Sequence, residues 1–329
     1  MSPYIDNCTT LGEFHLLSFS ISADFQIAFI IGILLMYSLT ILWNLVIIGL
    51  ISLTPQLHTP MYYFLSNLAV QDVVYVSSIL PKFLGITITK DNRIAFPECM
   101  TQMFFFIFCV GTEFLLLMSM AYDRYVAICV PLHYSVLMNP GRCVLLALAS
   151  WLVGFFTALI HSLLVLFASF CSSQDINHFY CDLKTVIKLA SSNTTHIRTL
   201  LFVVCVVLGL FPFLLILLSY IFIILTIIKI PGSKGKEKAF SSCSSHLIIV
   251  VLFYGTPLSS YMIPESERSE EQAKMLSLLY TAVVPLLNPL VYSLRNGEVL
   301  TAMKIINEKY CLVQKPVSKF QSMDGLCCS

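Results

Sequence analysis

The chain has 329 residues, 57% of them apolar and only 11% charged, with a mean hydropathy of +0.85. Ordinary soluble domains carry about 25% charged residues, so this composition excludes almost every soluble enzyme class, a disordered chain and a collagen. A net charge of +1 gives no general attraction to phosphate, so no nucleic acid is expected as a partner.

Long continuous apolar runs, rather than short alternating ones, predict membrane-crossing helices and argue against an outer-membrane barrel. In lipid, a helix satisfies its own backbone hydrogen bonds. Seven runs are long enough: about Phe25–Ile51, Pro60–Gly85, Pro97–Ile128, Arg142–Phe167, Ile197–Ile230, Lys238–Tyr261 and Ala273–Leu294. Residues 1–24 are polar and acidic, without a basic leader, and read as an uncleaved outer tail. Residues 25–294 form the bundle, and 295–329 an inner amphipathic helix and tail. The amphipathic stretch is Glu298–Glu308, with Val299, Leu300, Met303, Ile305 and Ile306 apolar, followed by Cys311 as a palmitoylation candidate. The expected fold is an all-α membrane protein: seven transmembrane helices and a short eighth helix along the bilayer.

Basic residues set the orientation. With the N-terminus outside, the inner segments hold 11 basic and 5 acidic residues, and the outer ones 8 basic and 11 acidic. That bias favours an outer N-terminus and an inner C-terminus. The sequons at Asn7 and Asn193 both fall outside in this topology, where glycosylation occurs. Asp72 and Glu113 lie within spans. Intramembrane acids are functional candidates by default. With Asn44 and Asn288 they form either a hydrogen-bonded packing network or a site for a sodium ion or a proton.

Specific strings narrow the class. Met120-Ala121-Tyr122-Asp123-Arg124-Tyr125-Val126-Ala127-Ile128-Cys129 closes span three, and Asn288-Pro289-Leu290-Val291-Tyr292 lies near the end of span seven. These resemble the DRY and NPxxY motifs of rhodopsin-like G-protein-coupled receptors. Leu57-His58-Thr59-Pro60-Met61-Tyr62-Tyr63-Phe64-Leu65-Ser66-Asn67, Lys238-Ala239-Phe240-Ser241-Ser242-Cys243 and Pro285-Leu286-Leu287-Asn288-Pro289 are longer signatures. They resemble those of olfactory receptors of the tetrapod-type branch, over nearly the whole chain.

The resemblance implies a disulfide between Cys99 and Cys181. Olfactory receptors typically bridge a further pair, and here Cys171 matches one member while Ser191 stands in the place of the other. Trp43 before Asn44 is a second departure, where the family usually has glycine. The resemblance also implies that the Asp123–Arg124 pair holds an inactive arrangement, from which Arg124 is released toward a G protein or Tyr220. Pro289 permits a helix kink that lets Tyr292 swing.

The ligand is expected in the outer half of the bundle, between spans three, five, six and seven. Counting helical turns from Arg124 puts Phe106, Ile107, Val110 and Gly111 on one stripe of span three. Val204 and Leu208, Tyr254 and Tyr261, and Leu278 and Thr281 complete a lining that is mainly apolar, with Tyr261 as polar anchor. No fixed charge is available there for an amine, so the expected ligand is a small, neutral, lipophilic odorant. The other expected partners are the bilayer and a stimulatory olfactory-type heterotrimeric G protein, with cyclic AMP as output. No cofactor is expected apart from the sodium ion. A rhodopsin-like receptor for a lipid or small endogenous ligand is the alternative. A transporter is disfavoured because the chain shows no internal repeat, and a membrane enzyme because His161 and His246 stand apart from any nucleophile or metal motif.

Overall fold

The computed structural model describes residues 12–19, 21–170, 174–262, 270–294, 299 and 301–303. Its long helices follow the apolar runs. They are α1 (Ala23–Leu53), α2 (Pro60–Thr89) and α3 (Phe96–Cys129), then, after the short turn α4 (Tyr134–Leu137), α5 (Pro140–Leu166). The two-turn helix α6 (Leu183–Leu189) precedes α7 (Thr195–Val204) and α8 (Phe211–Lys229), which together make span five. Helix α9 (Ser233–Met262) is span six, and α10 (Glu270–Leu278) with α11 (Val284–Leu294) is span seven. Prolines mark several starts, since a first-turn residue has no amide partner to lose. α5 begins at Pro140, and Asn139 accepts the Arg142 amide at 3.0 Å as its cap.

Among the described residues, six of the seven predicted spans are helices long and apolar enough to cross a membrane. In the sixth, α9, Cys243–Gly255 is an apolar helical stretch, within which Ser244, Ser245 and His246 are buried. Of the predicted eighth helix, residue 299 and residues 301–303 are helical, and Val299 and Ala302 pack into the main core. Its remainder lies outside the described residues.

Two spans are interrupted by π-helical turns, Cys205–Leu210 and Leu279–Val283. Each lies just ahead of a proline, Pro212 or Pro285. A proline ring clashes with the carbonyl four residues earlier, here Leu208 and Thr281. Widening that turn removes the clash. Pro289 has a related effect: its missing amide leaves the Pro285 carbonyl without a helical donor, and the Asn44 side chain donates to that carbonyl at 3.3 Å.

Helix α3 is the axis of the bundle and packs against α2, α5, α8 and α9. It is buried on most sides, so a single inward stripe does not describe it. Gly111 illustrates this. A Cβ added there would stand 3.3 Å from the Gly154 Cα of α5, so the residue sits at a small-residue helix crossing.

One end of the bundle carries a three-stranded sheet in the order β2 (Arg93–Ala95), β1 (Glu13–Leu16), β3 (Asp175–Ile176). β1 is antiparallel to β2, with Phe14 opposite Ile94, and parallel to β3. Phe14 and Leu16 are fully buried, so residues 13–16 are part of the core at that end and not simply polar tail.

Candidate functional site

The Cys99–Cys181 disulfide closes beside this sheet, with the two Cα atoms 5.5 Å apart. It ties the top of α3 to the segment 174–182, and the Cys181 amide donates to the Gln102 side chain at 2.8 Å. That segment then enters the bundle. His178, Phe179 and Tyr180 are buried. Phe179 packs on Phe83 at 4.7 Å, and Tyr180 on Phe106 at 5.1 Å. The Tyr180 and Tyr280 hydroxyls hydrogen-bond at 2.6 Å, Tyr280 donates to the Ser277 hydroxyl at 3.3 Å, and the His178 ring meets the same hydroxyl at 3.1 Å. This chain of polar groups fastens the loop to span seven. The Tyr75 hydroxyl, also beside Phe106, is buried and finds no partner among the described residues.

Phe106 therefore faces spans two and seven and the loop. Val110, one turn on, packs both on this cluster and on the main core. Ile107 joins the cluster under the sheet. Deeper, Tyr254 packs on Phe114 of α3 at 5.2 Å and Phe213 of α8 at 4.7 Å, with its buried hydroxyl unpartnered among the described residues. Val204 and Leu208 are half-buried in span five. Leu278 is buried beside Tyr180, while the buried Thr281 spends its hydroxyl proton on the Ser277 carbonyl at 2.8 Å. The Tyr261 side chain lies outside the described part of the molecule. Sequence reasoning missed Tyr75, Phe114, Tyr180, Phe213 and Tyr280. The signal for Tyr75, Phe114, Phe213 and Tyr280 was present in the aromatic residues at helical spacing on spans two, three, five and seven, whereas Tyr180 lies in the loop beside Cys181.

The two buried acids lie at the depth of Phe114, since Glu113 adjoins it in α3. The Asn288 amide donates to both Asp72 oxygens, at 2.9 and 3.2 Å, and joins span seven to span two. Gln71 donates to Glu113 at 3.2 Å. The second Glu113 oxygen and the side-chain carbonyl oxygens of Gln71, Asn44 and Asn288 are buried acceptors with no partner among the described residues. Two carboxylates with spare oxygen acceptors are the donor set of a hard cation, so the residues fit sodium. Asn44 also donates to Thr40 at 2.9 Å, so it bridges its own helix and span seven.

At the end opposite the disulfide, Asp123 is fully buried and accepts from Arg124 at 2.6 and 3.1 Å. Its other oxygen accepts from Tyr134 at 2.8 Å, a partner the sequence reading did not foresee. Burial, and then the Asp123 charge, push the Tyr134 phenol well above its usual range, so it remains a donor at neutral pH. Among the described residues, the Tyr220 hydroxyl is engaged with span six and not with Arg124. Its hydroxyl lies 2.7 Å from His246 Nδ1 and 3.2 Å from the Cys243 carbonyl. His246 Nε2 lies 3.1 Å from the Leu117 carbonyl, which only accepts, so the ring proton sits on Nε2. This buried triad joins spans three, five and six. Tyr125 packs on Phe222 at 6.1 Å. Pro289 is buried in α11, and the Tyr292 side chain lies outside the described part.

Asn193 is exposed ahead of α7, as a glycan acceptor requires; Asn7, Cys171 and Cys311 lie outside the described residues. Where the second loop cysteine is missing, the Ser191 amide donates to the Ser169 carbonyl at 2.7 Å, and the Ser169 amide to the Ser192 hydroxyl at 3.1 Å.

A sequence profile describing olfactory receptors matches residues 33–309. Olfactory receptor 2A5 of Homo sapiens is 45% identical over 299 residues, 91% of this chain and 96% of its own length. Olfactory receptor 1 of Rattus norvegicus is 44% identical over 300 residues, covering 91% and 96%. Olfactory receptor 1G1 of Gorilla gorilla gorilla is 43% identical over 298 residues, covering 91% and 95%.

Proposed function

The chain belongs to the olfactory receptor family, whose members are multi-pass G-protein-coupled receptors and not enzymes, and from that premise we propose that it binds a small, mostly apolar odorant inside the bundle. Binding activates a stimulatory olfactory-type G protein and raises cyclic AMP. The observation that carries this reading is the pair of stacked layers along α3. Phe106 and Tyr254 belong to two aromatic groups along α3, the second packed on Phe114 at the depth of Glu113, and the Asp123–Arg124 pair lies at the far end of the same helix. Ligand contacts at one end and a releasable guanidinium at the other give α3 the means to transmit a signal.

In this reading residues 1–24 are extracellular, 25–294 form the receptor domain, and 295–329 lie on the cytoplasmic side of the plasma membrane. The basic bias and the two sequons support that orientation. Asp72, Glu113, Asn44 and Asn288 hold a sodium ion, which neutralises the buried acids and favours the resting bundle. Asn7 and Asn193 carry glycans, and Cys311 carries a palmitoyl group.

Cyclic AMP in cells that express the receptor with the olfactory G protein tests the proposal, using a panel of volatile odorants and a control set of peptides. Response to an odorant is expected, and response to peptides alone overturns the reading. Tyr261→Phe is expected to weaken responses to hydroxyl and carbonyl odorants at unchanged surface expression. An unchanged dose–response across the panel contradicts its role as anchor.

A further inference from the structure

A cavity of about 480 Å³ opens at the disulfide end of the molecule, outside the aromatic groups just described. That volume is within the ~300–1,000 Å³ of small-molecule sites. Its walls come from residues 16–19, Ile21, the end of α2 with Lys90 and Asn92, Asn177, and the start of span seven. Leu16, Leu17, Phe19, Ile21 and Ile86 supply its apolar part. Its charged groups are Lys90, Lys274 and Glu271, a net charge of +1.

Lys274 is the unusual member, since its side chain is only 5% exposed. A buried ammonium is costly unless it is paired and hydrogen-bonded. It donates to the Ser18 carbonyl at 3.2 Å and to Glu271 at 3.2 Å. An ammonium carries three protons, so these two partners leave one further donor. Glu271 is 53% exposed and one helical turn away, so it is a solvated partner for a desolvated cation. An incoming carboxylate can take its place without leaving Glu271 buried and unpaired. Asp91, the acid nearest to Lys90 in sequence, is already held by Arg93 at 2.9 and 2.8 Å and does not line the cavity.

We propose that this cavity is a second ligand site, for a molecule with one carboxylate on a medium-length apolar chain. The carboxylate binds Lys274 in place of Glu271, with Lys90 and Asn92 at the rim, and the chain lies against the apolar wall. None of its lining residues belongs to the proposed odorant site, so it is separate from that site.

Equilibrium binding of radiolabelled octanoate to the full chain in lipid nanodiscs tests this without any signalling readout, so its outcome is independent of G-protein coupling. Saturable binding is expected, displaced by unlabelled octanoate but not by octan-1-ol. Lys274→Met is expected to weaken it more than tenfold. Glu271→Gln is expected to tighten it severalfold, because the competing carboxylate is gone. If Lys274 only tethers residue 18 to span seven, Glu271→Gln has no such effect. The Glu271→Gln arm also stands if Lys274→Met fails to fold. Absence of saturable binding, equal displacement by octan-1-ol, full binding in Lys274→Met, or unchanged or weaker binding in Glu271→Gln overturns the proposal.

Discussion

Among the described glycines, Gly154 of α5 has the least room for a side chain. A methyl group there would overlap Thr112 Oγ1 and stand 2.8 Å from the Phe108 carbonyl oxygen of α3. Ordinary contact begins at 3.4 Å, so the helices must part by the difference, 0.6 Å, against a backbone atom that cannot rotate away. Thr112 cannot yield freely either, because it is fully buried and its hydroxyl donates to the same carbonyl at 2.8 Å. Overpacking of this kind costs about 1–3 kcal/mol. Loss of the Thr112 hydrogen bond adds about 1 kcal/mol. The better helix propensity of alanine returns about 1 kcal/mol. The net expectation for Gly154→Ala is a loss of about 1–3 kcal/mol. Gly111→Ala is the control, since its Cβ would be only 0.1 Å short of ordinary contact, 3.3 against 3.4 Å. Its small strain is offset by propensity, and near-neutral stability is expected. Thermal inactivation of both variants in one detergent, followed by size-exclusion chromatography, makes the comparison. Gly154→Ala as stable as the parent, or Gly111→Ala equally damaged, refutes the reasoning.

Tyr134→Phe removes a donor from a buried carboxylate, a loss of about 1.5–3 kcal/mol from the arrangement that holds Arg124. Basal nucleotide exchange on the G protein is expected to rise about tenfold or more, and unchanged basal exchange would show that Tyr134 does not restrain the switch. Asp72→Asn removes a charge from the cation's donor set, so sodium, which is expected to lower odorant potency in the parent, should have no effect on the variant. An equal sodium effect in both argues for a packing network instead. Ser191→Cys restores the second cysteine of the loop pair that olfactory receptors typically carry. Bridging Cys171 would close a loop of about 20 residues, worth ~3 kcal/mol on a chain-entropy basis. Higher thermal stability that disappears under reductant is the expected result, and a stability insensitive to reductant contradicts it.

What the sequence made legible is what depends on composition along one helix. The apolar runs gave the spans, and adjacent Asp123 and Arg124 gave an ion pair that the structure contains at 2.6 Å. The Cys99–Cys181 bridge was likewise available from the family resemblance. Contacts between distant segments were not legible in the same way. Tyr134 on Asp123, Gln71 on Glu113 and Asn44 on the Pro285 carbonyl each need the helix rotations that only packing sets. Helix α3 is surrounded, so along the stripe on span three Gly111 meets another helix while Phe106 meets a loop. Two signals were overlooked. Glu13-Phe14-His15-Leu16 alternates with the period of a strand, and β1 lies there. Pro212 and Pro285, inside apolar runs, marked the π-helical turns that precede them.

Odorant-stimulated nucleotide exchange on a purified stimulatory G protein, with parent and Arg124→Ala receptors side by side in nanodiscs, tests the central claim most directly. The account predicts exchange with the parent, and with Arg124→Ala undiminished odorant binding but little or no exchange. Exchange by Arg124→Ala equal to the parent's, or a parent that binds no odorant and drives no exchange, would contradict it.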